Sequence, residues 1–152
     1  MTKMTFQSAR FGAIEYETQD VVTMPDGMIG FPEDHEYLVL AHREGSPFRW
    51  LQSLSNPALA FLIVEPAEMV ADYGFTLNDS VAAELELYEA TPYLVYTVVN
   101  IPRGKPEEMT LNLAGPIVIN AETRRAKQVV LEDSRFDLRH RVVPSQAPPK
   151  AA

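Results

Sequence analysis

Cysteine is absent from the 152 residues, and with it go disulfide staples, thiolate metal sites, iron–sulfur clusters and cysteine nucleophiles. Long apolar runs are missing too. The longest, Ala58 to Val64, is too short to span a bilayer as a helix, which takes about 20 apolar residues. The stretch from Met1 to Arg10 has no apolar h-region of the kind a secretory signal carries, so a cytoplasmic address without membrane attachment is expected. Histidine is scarce: His35, His42 and His140 stand in no ligand spacing such as His-Glu-x-x-His, and no metal site is expected. Gly27 and Gly30 lack the Gly-Lys-Ser/Thr ending of a phosphate loop, and no Gly-x-Ser-x-Gly elbow occurs. Glu33, Asp34 and Glu36 beside His35 read as a solvated charged loop in preference to an acid–base group. No catalytic residue and no cofactor are expected; only a site assembled from residues far apart in sequence would escape this reading.

What is present is ordinary globular material, 46% apolar and 22% charged, at a length that suits one domain with one substantial core. The charge is less ordinary. The net value is −8, and residues 1–119 carry 17 acids against 6 bases while residues 120–152 carry 4 against 7. An acidic body repels phosphate backbones, so direct nucleic-acid binding is not expected. It would attract a basic protein, or it serves only to keep the chain soluble.

Short apolar segments punctuated by proline, glycine and asparagine dominate the pattern. Met4 and Phe6, then Phe11 to Tyr16, alternate with period two around a polar link and predict a hairpin. Val21 to Met24 is a third candidate strand, ended by the turn residues Pro25-Asp-Gly27. Tyr37–Leu40 and Phe48–Leu54 flank a polar loop. Leu59–Val64 is apolar throughout, as in a strand covered on both faces or one lining a barrel. Asn78-Asp-Ser80 offers an N-cap to the one credible helix, with Val81, Leu85 and Tyr88 on a single face. Tyr93–Ile101 returns to β composition. Gly115-Pro116 then interrupts a strand through Leu111 and Leu113, predicting an edge, a bulge or a bend before Ile117–Ile119 resumes, and Ala126–Leu131 comes back as a hairpin. The expected class is mainly β: a small antiparallel β-barrel-like single domain with one short helix, over residues 1–143, followed by a flexible Pro/Ala-rich tail at 144–152.

Such segments are built from packing and turn residues, which points to a rigid binding surface. Gln52, Asn112, Asn120 and Gln128 lie beside apolar strand residues, where they either tie backbone groups together in turns or face a partner. Arg124, Arg125 and Lys127 with Arg135, Arg139 and Arg141 form a basic C-terminal region. Trp50, the lone tryptophan, reads as core unless it is exposed.

Phe11-Gly-x-Ile14, Pro25-Asp-Gly27 with Gly30-Phe31, Trp50-Leu-Gln-Ser53 through Phe61, and Met109-Thr-x-Asn-Leu113 through Asn120 resemble the FliW family of flagellar assembly factors. Arg124 and Gln128-Val-Val-Leu131 continue the resemblance, which covers about Phe6 to His140 in order and spacing. It implies a non-enzymatic regulator of the bacterial cytoplasm that binds flagellin and also binds CsrA, the RNA-binding repressor of flagellin translation. Flagellin in the cell occupies such a protein; after export the freed protein captures CsrA away from its RNA site and lifts repression noncompetitively. A flagellin export chaperone without a role in translation is the alternative. Asn112, Asn120 and Arg124 are named as partner-facing residues. Two departures stand out: Leu111 occupies a position usually small in the family, and Ala126 one where glycine is common, so that if the glycine takes a positive backbone angle, alanine implies a differently shaped turn.

Overall fold

The computed structural model describes residues 3–133 and 135–142; the segment 144–152, read above as a flexible tail, lies outside the described residues. In chain order the strands are β1 Lys3–Ser8, β2 Gly12–Glu17, β3 Val22–Thr23, β4 Glu36–Ala41, β5 Phe48–Ser53, β6 Ala60–Val64, β7 Tyr93–Asn100, β8 Thr110–Leu111, β9 Ile117–Asn120, β10 Ala126–Gln128 and β11 His140–Arg141, with one α-helix, α1 Asp79–Glu84. The class is mainly β, as expected. β1 and β2 form their own two-stranded sheet, Phe6 opposite Ile14. The other strands form one sheet in the order β10-β9-β7-β6-β5-β4-β3, with β8 beside β7 and β11 beside β8.

The sheet is not a closed barrel, so the barrel-like description holds only loosely while the mainly β class stands. Its edges meet at a single bridge between Thr23 and Arg125, where the Thr23 N–H donates to the Arg124 carbonyl over 2.9 Å. The ladder stops there because Pro25 has no N–H to give and the chain turns away at Gly27, whose φ is +66°. A Cβ at Gly27 would collide with the Phe31 carbonyl oxygen, so only glycine fits that turn. Side chains then carry the seam: Lys127 Nζ reaches Asp26 Oδ2 at 2.6 Å, and the Ile29 N–H donates to Gln128 Oε1 at 2.9 Å.

Alternation along the strands divides the apolar residues between two sides of the sheet. Leu51, Ile63, Ile117 and Ile119 pack with Val22, Met24 and Met28 on one side. Phe48, Val64, Val99 and Leu111 pack with Met69 and Met109 in a second core. Ile63 and Val64 are buried in the first and second cores, whereas Ala60, Phe61 and Leu62 are only partly covered; Leu111 is wholly buried. Val118 points away from its neighbours in β9 and meets Val81, Leu85 and Val129 in a third cluster under α1. Asn78 caps α1, its Oδ1 accepting from the Val81 N–H at 2.8 Å. The helical period read from sequence runs on to Tyr88, but a left-handed Glu86 (φ 57°) ends the helix first and leaves Tyr88 70% exposed.

The break at Gly115-Pro116 is a bulge. Val99 pairs with Leu111, yet Tyr96 pairs with Ile117, so extra residues loop out between β8 and β9 along the same side of β7. Ala126 is buried within β10 without a positive φ, and the left-handed residue of this turn is Arg124, at 66°. β11 pairs with β8, His140 opposite Leu111, and had no signal in the sequence.

Gln52 is fully buried and works as a clasp. Its Oε1 accepts from Ser8 Oγ at 2.8 Å, and its Nε2 donates toward the Ser53 and Leu59 carbonyls at 2.9 and 3.2 Å. Gln52→Ala should cost about 2–4 kcal/mol, since it opens a cavity and takes away the acceptor of the buried Ser8 hydroxyl and a donor to the Ser53 carbonyl. Urea unfolding checks this; a shift under about 0.5 kcal/mol contradicts the clasp.

Burial pushes the Tyr73 phenol up from 10.0 to about 12, and its hydroxyl donates to the Leu113 carbonyl at 2.8 Å. With the folded value raised, Tyr73's contribution is complete below about pH 10 and lost as pH rises through about 12. Tyr73→Phe should remove one late step from the tyrosinate absorbance titration; an unchanged late amplitude contradicts the placement.

Candidate functional site

The strand face that carries Trp50 opposite Leu62 is only partly covered. There β5 and β6 floor a groove of about 710 Å³, bordered by the 42–46 loop and by Ile101 and Pro106 beyond the end of β7. Phe48, Trp50, Phe61, Leu62 and Val98 supply apolar lining.

The hairpin tip sets one side of this surface. Ser8 Oγ accepts from the N–H groups of Arg10 and Phe11 at 3.1 and 3.0 Å while donating to Gln52, and the Ala9 N–H donates to the Pro57 carbonyl at 2.9 Å. These bonds hold Phe11 edge-on to Trp50, with ring centroids 5.6 Å apart, and lay the Arg10 guanidinium 4.6 Å from the indole centre. His42 completes the cluster at 6.3 Å from both Trp50 and Phe48. A concave surface of aromatic and aliphatic groups with few fixed donors suits the apolar side chains of another molecule, and anchors of this kind dominate binding at protein interfaces. Ile101, 40% exposed, stands at its border.

The residues named from sequence fall elsewhere. Asn120 is 1% exposed, and its amide is used inside: Nδ2 donates to the Leu85 and Glu86 carbonyls at 2.9 and 3.2 Å, and Oδ1 accepts from the Glu122 and Thr123 N–H groups at 2.8 and 3.1 Å. Arg124 shares that turn, half-buried, with its guanidinium 3.4 Å from the Asp20 carbonyl. Asn112 lies apart from both, before the bulge, its Oδ1 accepting from the Ala114 N–H at 3.1 Å. Gln128 spans the seam and donates to the Gly115 carbonyl at 3.1 Å. The basic region is divided, because Arg124 to Lys127 lie at the β10 edge whereas Arg141 sits opposite Thr110 on β8. Sequence reading passed over the groove; its one available signal was the unmatched Trp50. Among the described residues no group of three or more His, Asp or Glu is placed to hold a metal ion, and no helix is long and apolar enough to cross a membrane.

An open sheet with a clasped hairpin and an apolar groove defines a mainly β scaffold that presents a surface. Residues 5–142 match the family described as FliW protein. The flagellar assembly factor FliW of Desulfitobacterium hafniense is 37% identical over 141 residues, covering 93% of this chain and 92% of that protein. That of Syntrophus aciditrophicus is 39% identical, covering 92% and 88%, and that of Magnetococcus marinus 37%, covering 86% and 80%. A crystal structure of the flagellar assembly factor FliW superposes with a TM-score of 0.83 at 30% identity, covering 95% of this chain and 99% of that one. The chain belongs to the FliW family of flagellar assembly factors.

Asn120→Ala should lower stability by about 2–3 kcal/mol, since two carbonyls and two N–H groups lose their partner. Ile101→Asp, at an exposed border, should change it by less than about 0.5 kcal/mol. Chemical denaturation of both variants checks the contrast; equal losses contradict it.

Proposed function

We propose that this protein is a non-enzymatic, protein-binding regulator of flagellum assembly that works in the cytoplasm. It binds flagellin and antagonises the RNA-binding translational repressor CsrA noncompetitively, so relieving repression of flagellin translation. Membership of the FliW family across residues 5–142 is the observation that carries this reading. The groove supports it by offering apolar anchors at a surface held rigid by the hairpin clasp. The net charge of −8 supports a noncompetitive route: an acidic body docked beside an RNA-binding protein repels phosphate over roughly a Debye length, about 8 Å at physiological salt. The same charge disfavours direct RNA binding by this chain. Arg124, on the turn that Asn120 shapes, and Asn112 are retained in the proposal as secondary partner contacts.

Calorimetric titration with purified flagellin and with CsrA should give saturable heats for each, and added protein should release a flagellin-leader RNA from CsrA in a mobility-shift gel. Flagellin binding without RNA release would leave an export chaperone in its place. Absence of binding to either protein would discard the reading.

A further inference from the structure

The groove has a charge pattern unlike the rest of the acidic body. Residues 1–119 hold only six bases, and four of them belong to its surroundings. Arg43 lies in its lining; Arg10 covers the Trp50 ring; Arg103 and Lys105 sit in the turn between Ile101 and Pro106, both of which line it. Glu44 also lines the groove, and Glu107 and Glu108 follow Pro106, with Lys105 3.8 Å from Glu108. The border is therefore close to balanced where the stretch as a whole carries 17 acids. An acidic ligand meets less repulsion here than over the rest of residues 1–119, and cations stand at the border.

We propose that the groove takes a peptide segment of a partner protein in which apolar side chains are flanked by aspartate or glutamate. The apolar groups settle against Trp50, Phe61 and Leu62, and the carboxylates face Arg103 and Lys105. This rests on the protein-binding reading above and adds the chemistry of the bound segment. A nucleic acid is disfavoured because the body around the groove is acidic and repels a phosphate chain.

Selection of a displayed random-peptide library on the intact protein reads that chemistry directly, with emission from Trp50, the only tryptophan, as the binding signal. Recovered sequences should combine apolar residues with neighbouring Asp or Glu and shift Trp50 emission saturably. Their affinity should fall with added salt and drop about tenfold in the double variant Arg103→Glu, Lys105→Glu, which removes exposed charge pairs of modest strength. Ile101→Asp should abolish the emission change. Enrichment of basic sequences, failure of any sequence to enrich, equal binding by Ile101→Asp, or saturable quenching by poly(U) RNA would each overturn the inference. If flagellin and CsrA still bind the double variant and Ile101→Asp as tightly as the wild type, the groove assignment fails while the regulatory function stands; if the wild type binds neither, the function itself fails.

Discussion

Every residue of β9 is buried, and that demand to cover one strand on both faces organises the molecule. Ile117 and Ile119 need the first core and Val118 needs α1, so the helix must fold back over β9 and the far side of the sheet must curl toward it. Asn120 finishes the strand by holding the carbonyls at the end of the helix and the N–H groups of the following turn with one amide. A strand so completely enclosed tolerates little variation in volume, because close-packed interiors penalise both cavities and excess methylenes. The curling brings β3 and β10 together, but two residues of β3 are too few to zip the edges, and the seam is left to one bridge and a few side-chain contacts.

The second structural decision is the hairpin. As an isolated two-stranded sheet β1 and β2 would be marginal in water, so their attachment to the body matters. Ser8 and Gln52, 44 residues apart in sequence, supply it in the buried interior, and the same clasp fixes Arg10 and Phe11 against Trp50. Stability and surface are thus linked: the bonds that hold the hairpin also set the shape of the groove border. The groove over β5 and β6 leaves aromatic and aliphatic groups of these strands for another molecule.

Local chemistry was legible in the sequence and distant pairing was not. A cap within Asn78-Asp-Ser80, the first hairpin, the turn at Gly27 and a break in the strand at Gly115-Pro116 were readable because each depends on residues within a few positions of one another. β11 is two residues long and finds its partner in Leu111, far back along the chain, so it left no period to detect. Tyr88 fitted a helical face that a single left-handed residue, Glu86, cut short. Asn112, Asn120 and Gln128 show a deeper ambiguity: a polar side chain in an apolar strand has the same sequence signature whether it ties carbonyls inside or meets a partner outside. Trp50 is the converse, a residue whose type says core while a hairpin tip some forty residues earlier makes it part of a surface.

Amide hydrogen exchange of the full chain, free and saturated with flagellin, tests the central claim most directly, namely that this protein acts by holding another protein in the groove on β5 and β6. New protection should concentrate in residues 42–46 and 98–106 and at the hairpin tip. Protection confined to the β3–β10 seam or to the turn at Asn120, with the groove segments exchanging as in the free protein, would contradict it.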